Sequence, residues 1–118
     1  MKLSDIKRGD ILVAKHNDLE DYQFERNYII FIASGSKISK KNLDTCISYI
    51  IPTIAHIDLS NTFNVGSDLS VGYTIFRNTP RKSSELRKPT ISEMLDILNR
   101  LKNSGYKYNK KTKNIEKL

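Results

Sequence analysis

Cys46 and His56 are the two side chains in this chain that could most readily do covalent chemistry. An imidazole beside a thiol can take its proton, and the resulting thiolate is a nucleophile. Asp44 and Asp58 lie close in sequence and would complete such a site as orienting groups or metal ligands. The pair needs Cys46 and His56 on adjacent strands. Against it, Cys46 opens the apolar run Cys46-Ile47-Ser48-Tyr49-Ile50-Ile51, the setting of a buried, inert thiol. His16 is forty residues from His56, and no ligand pair has zinc-site spacing. The sequence therefore predicts no catalytic residue, metal or cofactor.

Two other motifs have simpler explanations. Asp18, Glu20, Asp21 and Glu25 are hard oxygen ligands, but they lack the glycine and closing glutamate of a calcium loop and read as a solvated acidic loop. Ser34-Gly35-Ser36-Lys37 resembles a phosphate cradle only in composition. It has neither the glycines nor the following helix of a P-loop, and reads as a turn. No Gly-x-Ser-x-Gly elbow occurs.

Charge carries the remaining signal. Residues 1–80 hold nine Lys/Arg and nine Asp/Glu, whereas residues 81–118 hold eleven against four, so the second block accounts for the whole net charge of +7. Arg81, Lys82, Arg87 and Lys88 precede a helix, and Lys107, Lys110, Lys111 and Lys113 follow it. These eight residues are the candidate surface for an acidic partner, whether nucleic acid, anionic lipid or an acidic protein face, with nucleic acid the first choice; the plain alternative is a solvated basic end whose tyrosines are core. Tyr106 and Tyr108 are placed among them and could stack on bases.

The elements that must position these residues are short strands and one helix. Gly9-Asp10 turns into a β-prone run from Ile11 to Lys15. Tyr28–Ala33 is apolar on both alternating sets, so both of its faces should be covered. Cys46–Ile51 reads as a strand closed by Pro52, with a short fourth piece from Ile54 to Leu59 and a last strand from Gly72 to Arg77. Residues 78–88 read as a linker. A small, bent antiparallel sheet, partly closed as an SH3-like barrel, would bury both faces and limit free edges.

Thr90-Ile91-Ser92-Glu93 has the form of a capping box. Ile91, Met94, Leu95, Leu98 and Leu101 form one apolar stripe expected to lie on the sheet. Gly105 fits the left-handed position that ends a helix, and Tyr106–Tyr108 with Ile115–Leu118 fits a hairpin whose turn, Asn109 to Asn114, carries lysines at its tip. The whole is predicted to be one α+β domain: a neutral strand-built body over residues 1–80 and a basic helix-plus-hairpin module over 81–118 packed on it. The absence of a long apolar run argues against a membrane partner. The polar start of the chain and the lone cysteine suggest a cytoplasmic protein.

Pro89-Thr90-x-x-Glu93, the leucine-rich helix, and Gly105-Tyr106-x-Tyr108-Asn109 with its lysine-rich end resemble small uncharacterised proteins of phages and prophages of gut bacteria. Those proteins pair a compact strand-rich unit, opened by a Gly-Asp turn, with a similar helix and ribbon. The resemblance implies a mobile-element origin and the host cytoplasm as the place of action; it brings no activity or catalytic residue. The expected function is that of a non-enzymatic binding protein engaging an acidic partner, nucleic acid first. An inhibitor of host defence, docking on a host protein or sequestering an anionic nucleotide, is the second reading. A small hydrolase using Cys46 and His56 is the weakest.

Overall fold

The computed structural model describes residues 5–16, 26–34, 39–43, 46–65, 73–77 and 84–118. Its larger sheet is antiparallel. Strands β1 (Ile11–His16), β2 (Tyr28–Ala33), β3 (Ser39–Leu43), β4 (Cys46–Ile57) and β7 (Ser84–Arg87) run in the order β3-β4-β2-β1-β7, and β5 (Phe63–Val65) and β6 (Tyr73–Arg77) also pair with β4. One helix, α1 (Ile91–Asn103), follows, and a separate hairpin of β8 (Tyr106–Asn109) and β9 (Asn114–Lys117) ends the chain.

Both faces of the centre are buried, as the alternation in Tyr28–Ala33 requires. Ile30 and Ile32 join Val13, Ala55, Ile57, Ile97, Leu101 and Ile115 in one core, so the helix and hairpin share that core with the sheet. Phe31 and Ala33 face the other way and join Leu12, Ala14, Ile51 and Ile6. Period-two geometry puts consecutive residues of β1 and β2 on opposite faces, and here each face has its own cover.

Several expectations are corrected. The sheet is open, not an SH3-like barrel: its hydrogen-bonded path ends at β3 and β7, and β6 comes near β1 and β7 without pairing with either. Pro52 does not close a strand. It lies inside a single twelve-residue β4, at the point where the strand changes partners. Cys46–Pro52 pairs with β3 and β6, and Thr53–Ile57 pairs with β2 and β5. A missing N–H costs least at such a junction, and the Pro52 carbonyl still accepts from the Ser34 amide at 3.0 Å. A β-bulge between Ile32 and Ala33 adds Ile54 as the extra residue on β4. The expected linker also contains structure, because Ser84–Arg87 is β7 and pairs with β1 from Val13↔Arg87 to His16↔Ser84.

The helix forms as its sequence dictates, but it sits rotated. Thr90 Oγ1 accepts the Glu93 amide at 3.2 Å, and Glu93 Oε1 accepts the Thr90 amide at 2.8 Å, completing the capping box. Gly105 ends the helix at φ +91°, and its amide reaches the Lys102 carbonyl at 3.0 Å. The buried residues, however, are Ile97 and Leu101; Met94 and Leu98 are half-buried, and Ile91 and Leu95 are 81% and 54% exposed. At about 100° per residue, α1 turns from its core line (Ile97, Leu101) through Met94 and Leu98 to an open flank bearing Ile91 and Leu95.

A candidate binding cleft at the hairpin tip

The hairpin turn is held by its own asparagine. Asn109 Oδ1 accepts the amides of Lys111 at 3.0 Å and Thr112 at 3.3 Å, and the Asn109 carbonyl accepts the Lys113 amide at 2.7 Å. Side-chain capping of this kind is why Asn starts tight turns. Lys113 then takes the left-handed conformation at φ 57° and leads into β9. Tyr106 and Tyr108 alternate with Lys107 along β8, so the two rings face the body and Lys107 faces out.

The turn is docked on the Gly9-Asp10 corner that starts β1. The Tyr108 hydroxyl donates to the Gly9 carbonyl at 2.6 Å. Lys113 Nζ donates to Asp10 Oδ1 at 2.9 Å, and the Lys7 amide donates to Asp10 Oδ2 at 2.9 Å. Burial pushes the Asp10 carboxyl up, but the hydrogen bonds from Lys113 and the Lys7 amide outweigh it and hold the group below its ordinary value. The same contact with Asp10 raises the Lys113 ammonium. Burial raises the Tyr108 phenol, in keeping with its role as a donor.

Docking leaves a cleft of about 630 Å³ between the hairpin tip, the start of β1 and the first turns of α1. Ile11, Leu12, Pro89, Met94, Leu98 and the Tyr108 ring give it an apolar lining. Lys88, Lys110 and Lys113 stand on its walls against Asp5 and Asp10. That volume lies within the range of ligand-binding sites, and an apolar lining with a few charged groups is their usual composition.

The basic residues expected to act together are only partly gathered here. Lys88, Lys110 and Lys113 line the cleft with Tyr108, and Lys111 is exposed beside Lys110 in the same turn. Arg87 is engaged elsewhere. Its Nη1 and Nη2 donate to Glu93 Oε1 and Oε2 at 2.7 and 2.8 Å, and its guanidinium lies 5.9 Å from the Tyr28 ring, which Arg26 covers at 4.6 Å. The Arg87 hydrogen bonds and those from Thr90 bring the Glu93 carboxyl down to about 2. Lys107 lies opposite Glu116 in the hairpin register and pairs with it at 3.4 Å. Tyr106 packs against the core that contains Leu101. Arg81 and Lys82 lie outside the described residues.

The Cys46–His56 pair is not assembled. Both belong to β4, ten positions apart, which at about 3.3 Å per residue is roughly 30 Å along the strand. His56 is instead part of a polar network across β4 and β5, with Nδ1 at 3.0 Å from Thr53 Oγ1 and Nε2 at 3.5 Å from Asn64 Nδ2, which also reaches Asp58. Among the described residues no three His, Cys, Asp or Glu side chains are grouped to hold a metal, and no helix is long and apolar enough to cross a membrane. Asp44, the acidic stretch from Asp18 to Glu25, and Gly35, Ser36 and Lys37 lie outside the described residues.

Sequence reasoning missed the apolar half of the cleft. A signal was present. The aliphatic positions of α1, from Ile97 round to Leu95, span roughly 160° of the helix, wider than the arc of about 100° that one buried face needs. Comparison of the chain with family models, with curated proteins and with solved structures finds no match.

Proposed function

We propose that this chain is a non-enzymatic binding protein of the phage or prophage kind its C-terminal motifs resemble, and that it engages an acidic partner at the mouth of the hairpin-tip cleft. The observation that carries the reading is the state of the lysines. Arg87, Lys107 and Lys113 are paired with Glu93, Glu116 and Asp10, whereas Lys88, Lys110 and Lys111 form no ion pair with any described residue. Exposed lysines that no described carboxylate holds in an ion pair have the most to gain from an incoming anion. Basic composition alone admits nucleic acid as that anion; the apolar floor formed by Met94, Leu98 and Pro89 favours an acidic protein segment.

The test is binding of the whole protein to two labelled polyanions, a single-stranded oligonucleotide and a polyglutamate peptide, with ionic strength varied. Affinity for at least one should fall steeply between roughly 50 and 200 mM salt. In the triple variant Lys88→Gln, Lys110→Gln, Lys111→Gln that slope should flatten by about one for each cation that had contacted the anion. Absence of binding to either probe at low salt rejects the reading, as does a triple variant that binds as well as the parent.

A further inference from the structure

The geometry points to one class of occupant for the cleft: a linear acidic, amphipathic segment of a partner protein, its apolar side chains seated along α1 and its carboxylates on Lys88, Lys110 and Lys111. This rests on the acidic-partner reading and names the partner within it.

Three observations converge. The first is that the apolar surface does not stop at the cleft wall. Met94 and Leu98 line the cleft, and Ile91, three positions before Met94, and Leu95, three before Leu98, carry the same surface onto the open flank of the helix. A strip that passes from half-buried to 81% exposed at Ile91 is a face awaiting cover; scattered single exposures need no such explanation. The other flank of the helix is already tied down, through Glu93 to Arg87 and through Arg100 to Asn61. The open flank is therefore the side that a partner can reach.

Charge complementarity is the second. Lys88 and Lys110 stand on the cleft wall, Lys111 is next to Lys110, and Lys102 extends the exposed flank two turns beyond Leu95. An apolar strip bordered by cations that pair with no described carboxylate is complementary to a segment that alternates bulky apolar residues with Asp or Glu.

The third separates this occupant from a nucleic-acid strand. Base stacking needs ring faces free to pair with successive bases. Tyr106 packs against the core, and Tyr108, half-buried where it lines the cleft, is held in place by its hydroxyl on Gly9, so the hairpin offers no pair of free rings. A phosphate backbone needs a run of cations, but Asp5 and Asp10 share the cleft walls with the lysines. A segment with intermittent acids tolerates both.

The experiment uses the full chain and four labelled probes. These are an amphipathic peptide of alternating Leu/Phe and Glu, a scrambled peptide that breaks its apolar face, polyglutamate, and a single-stranded oligonucleotide. The variants are Ile91→Ser with Leu95→Ser, both at exposed positions, and Lys110→Gln with Lys111→Gln. The amphipathic peptide should bind tightest. It should lose about ten-fold in affinity with either pair of substitutions, and it should move the backbone amide resonances of Leu12, Met94 and Leu98. Polyglutamate affinity should respond to the lysine pair alone. Equal binding of the amphipathic and scrambled peptides would overturn the inference. So would oligonucleotide binding that exceeds peptide binding and ignores Ile91 and Leu95, although the acidic-partner reading would then stand. If no acidic probe binds, both fail.

Discussion

A β-carbon placed on Gly9 would lie 2.0 Å from the carbonyl oxygen of Lys113 and 2.6 Å from its β-carbon. Two chain segments that are far apart in sequence thus meet with no room for a side chain, and both residues hold left-handed backbones, at φ +88° and φ +57°. The meeting fixes the cleft, because Lys113 brings the hairpin turn with it and Gly9 begins the strand that supplies Ile11 and Leu12.

Gly9→Ala should therefore be costly. Alanine pays about 1–2 kcal/mol for the left-handed conformation alone, and the clash is with backbone, which cannot swing aside. The turn must lift, with loss of the Tyr108–Gly9 and Lys113–Asp10 contacts. A total near 3 kcal/mol corresponds to a fall in melting temperature of roughly 10 °C or more for a domain of this size. Thermal unfolding measures it, and cleavage by trypsin after Lys110 and Lys111 should quicken. A variant that melts within about 2 °C of the parent would mean the tip does not dock there.

What the sequence reveals of this fold follows the range of the interactions. The capping box at Thr90–Glu93, the helix ending at Gly105 and the hairpin from Tyr106 to Lys117 are local, and all appear where their residues point. Tyr28–Ala33 is legible because both alternating sets are apolar. Ser39–Leu43 and Ser84–Arg87 are not legible. They are short, polar and become strands only through partners elsewhere in the chain, β4 and β1. Pro52 misleads because its penalty depends on which neighbour would have accepted its hydrogen. The lysines of the cleft could be named from charge alone. Their pairing could not, since Lys113–Asp10 spans 103 residues. The helix stripe misleads by phase: Ile91 and Leu95 have the right type and spacing for a core, and only the position of the sheet decides that Ile97 occupies it.

Acid should reveal the Glu93–Arg87 pair. The folded carboxyl titrates at about 2 against an ordinary value of 4.5. A depressed folded value contributes stability that is complete above the unfolded value and is lost as pH falls through the folded one. Arg87 is 38% exposed, so solvent screening reduces the contribution to the order of 1–2 kcal/mol. Denaturant titrations of the parent and Glu93→Gln should differ by a constant amount from about pH 7 to 5 and converge between roughly pH 4.5 and 2. A difference that does not change down to about pH 2 would show that the charge of Glu93 is not what the fold uses.

Base should act on the docked turn with the opposite sign. The Lys113 ammonium is raised by Asp10, and the Tyr108 phenol is raised by burial. A raised folded value gives stability that is complete below the unfolded value and is lost as pH rises through the folded one. Above about pH 10 the tip should loosen before the sheet. Amide hydrogen exchange or proteolysis at Lys110–Lys113 reads this directly. Tyr108→Phe should start from a weaker dock, by about 1 kcal/mol for the lost hydroxyl contact, and should remove the part of the alkaline response that comes from the phenol. An alkaline response identical in the two proteins would assign it to Lys113 alone.

Arg100 anchors the tethered flank of α1. Its Nε donates to Asp96 Oδ1 at 2.9 Å, while Nη1 and Nη2 donate to the Asn61 carbonyl and side-chain oxygens at 2.8 and 2.7 Å. Asn61 is itself left-handed, at φ 62°, in the turn between β4 and β5. A planar fork suits two oxygens of one residue, and a lysine cannot span them. Arg100→Lys should cost about 1–2 kcal/mol, close to the cost of Arg100→Met, measured by chemical denaturation. A lysine variant as stable as the parent would reduce the contact to a surface ion pair.

The phase of the helix gives the sharpest comparison. Ile91 and Ile97 are the same residue type on the same helix, six positions apart, and they lie 81% and 0% exposed. Ile97→Ala removes atoms from a core shared with Val13, Ile30 and Leu101 and should cost about 2–5 kcal/mol. Ile91→Ala replaces an exposed side chain by a better helix former and should change stability by less than about 0.5 kcal/mol in either direction. Denaturant midpoints of the two variants decide the matter. If Ile91→Ala proved the more damaging, the stripe through Ile91, Leu95 and Leu98 would be the one on the sheet. The open flank on which the docking surface depends would then not exist.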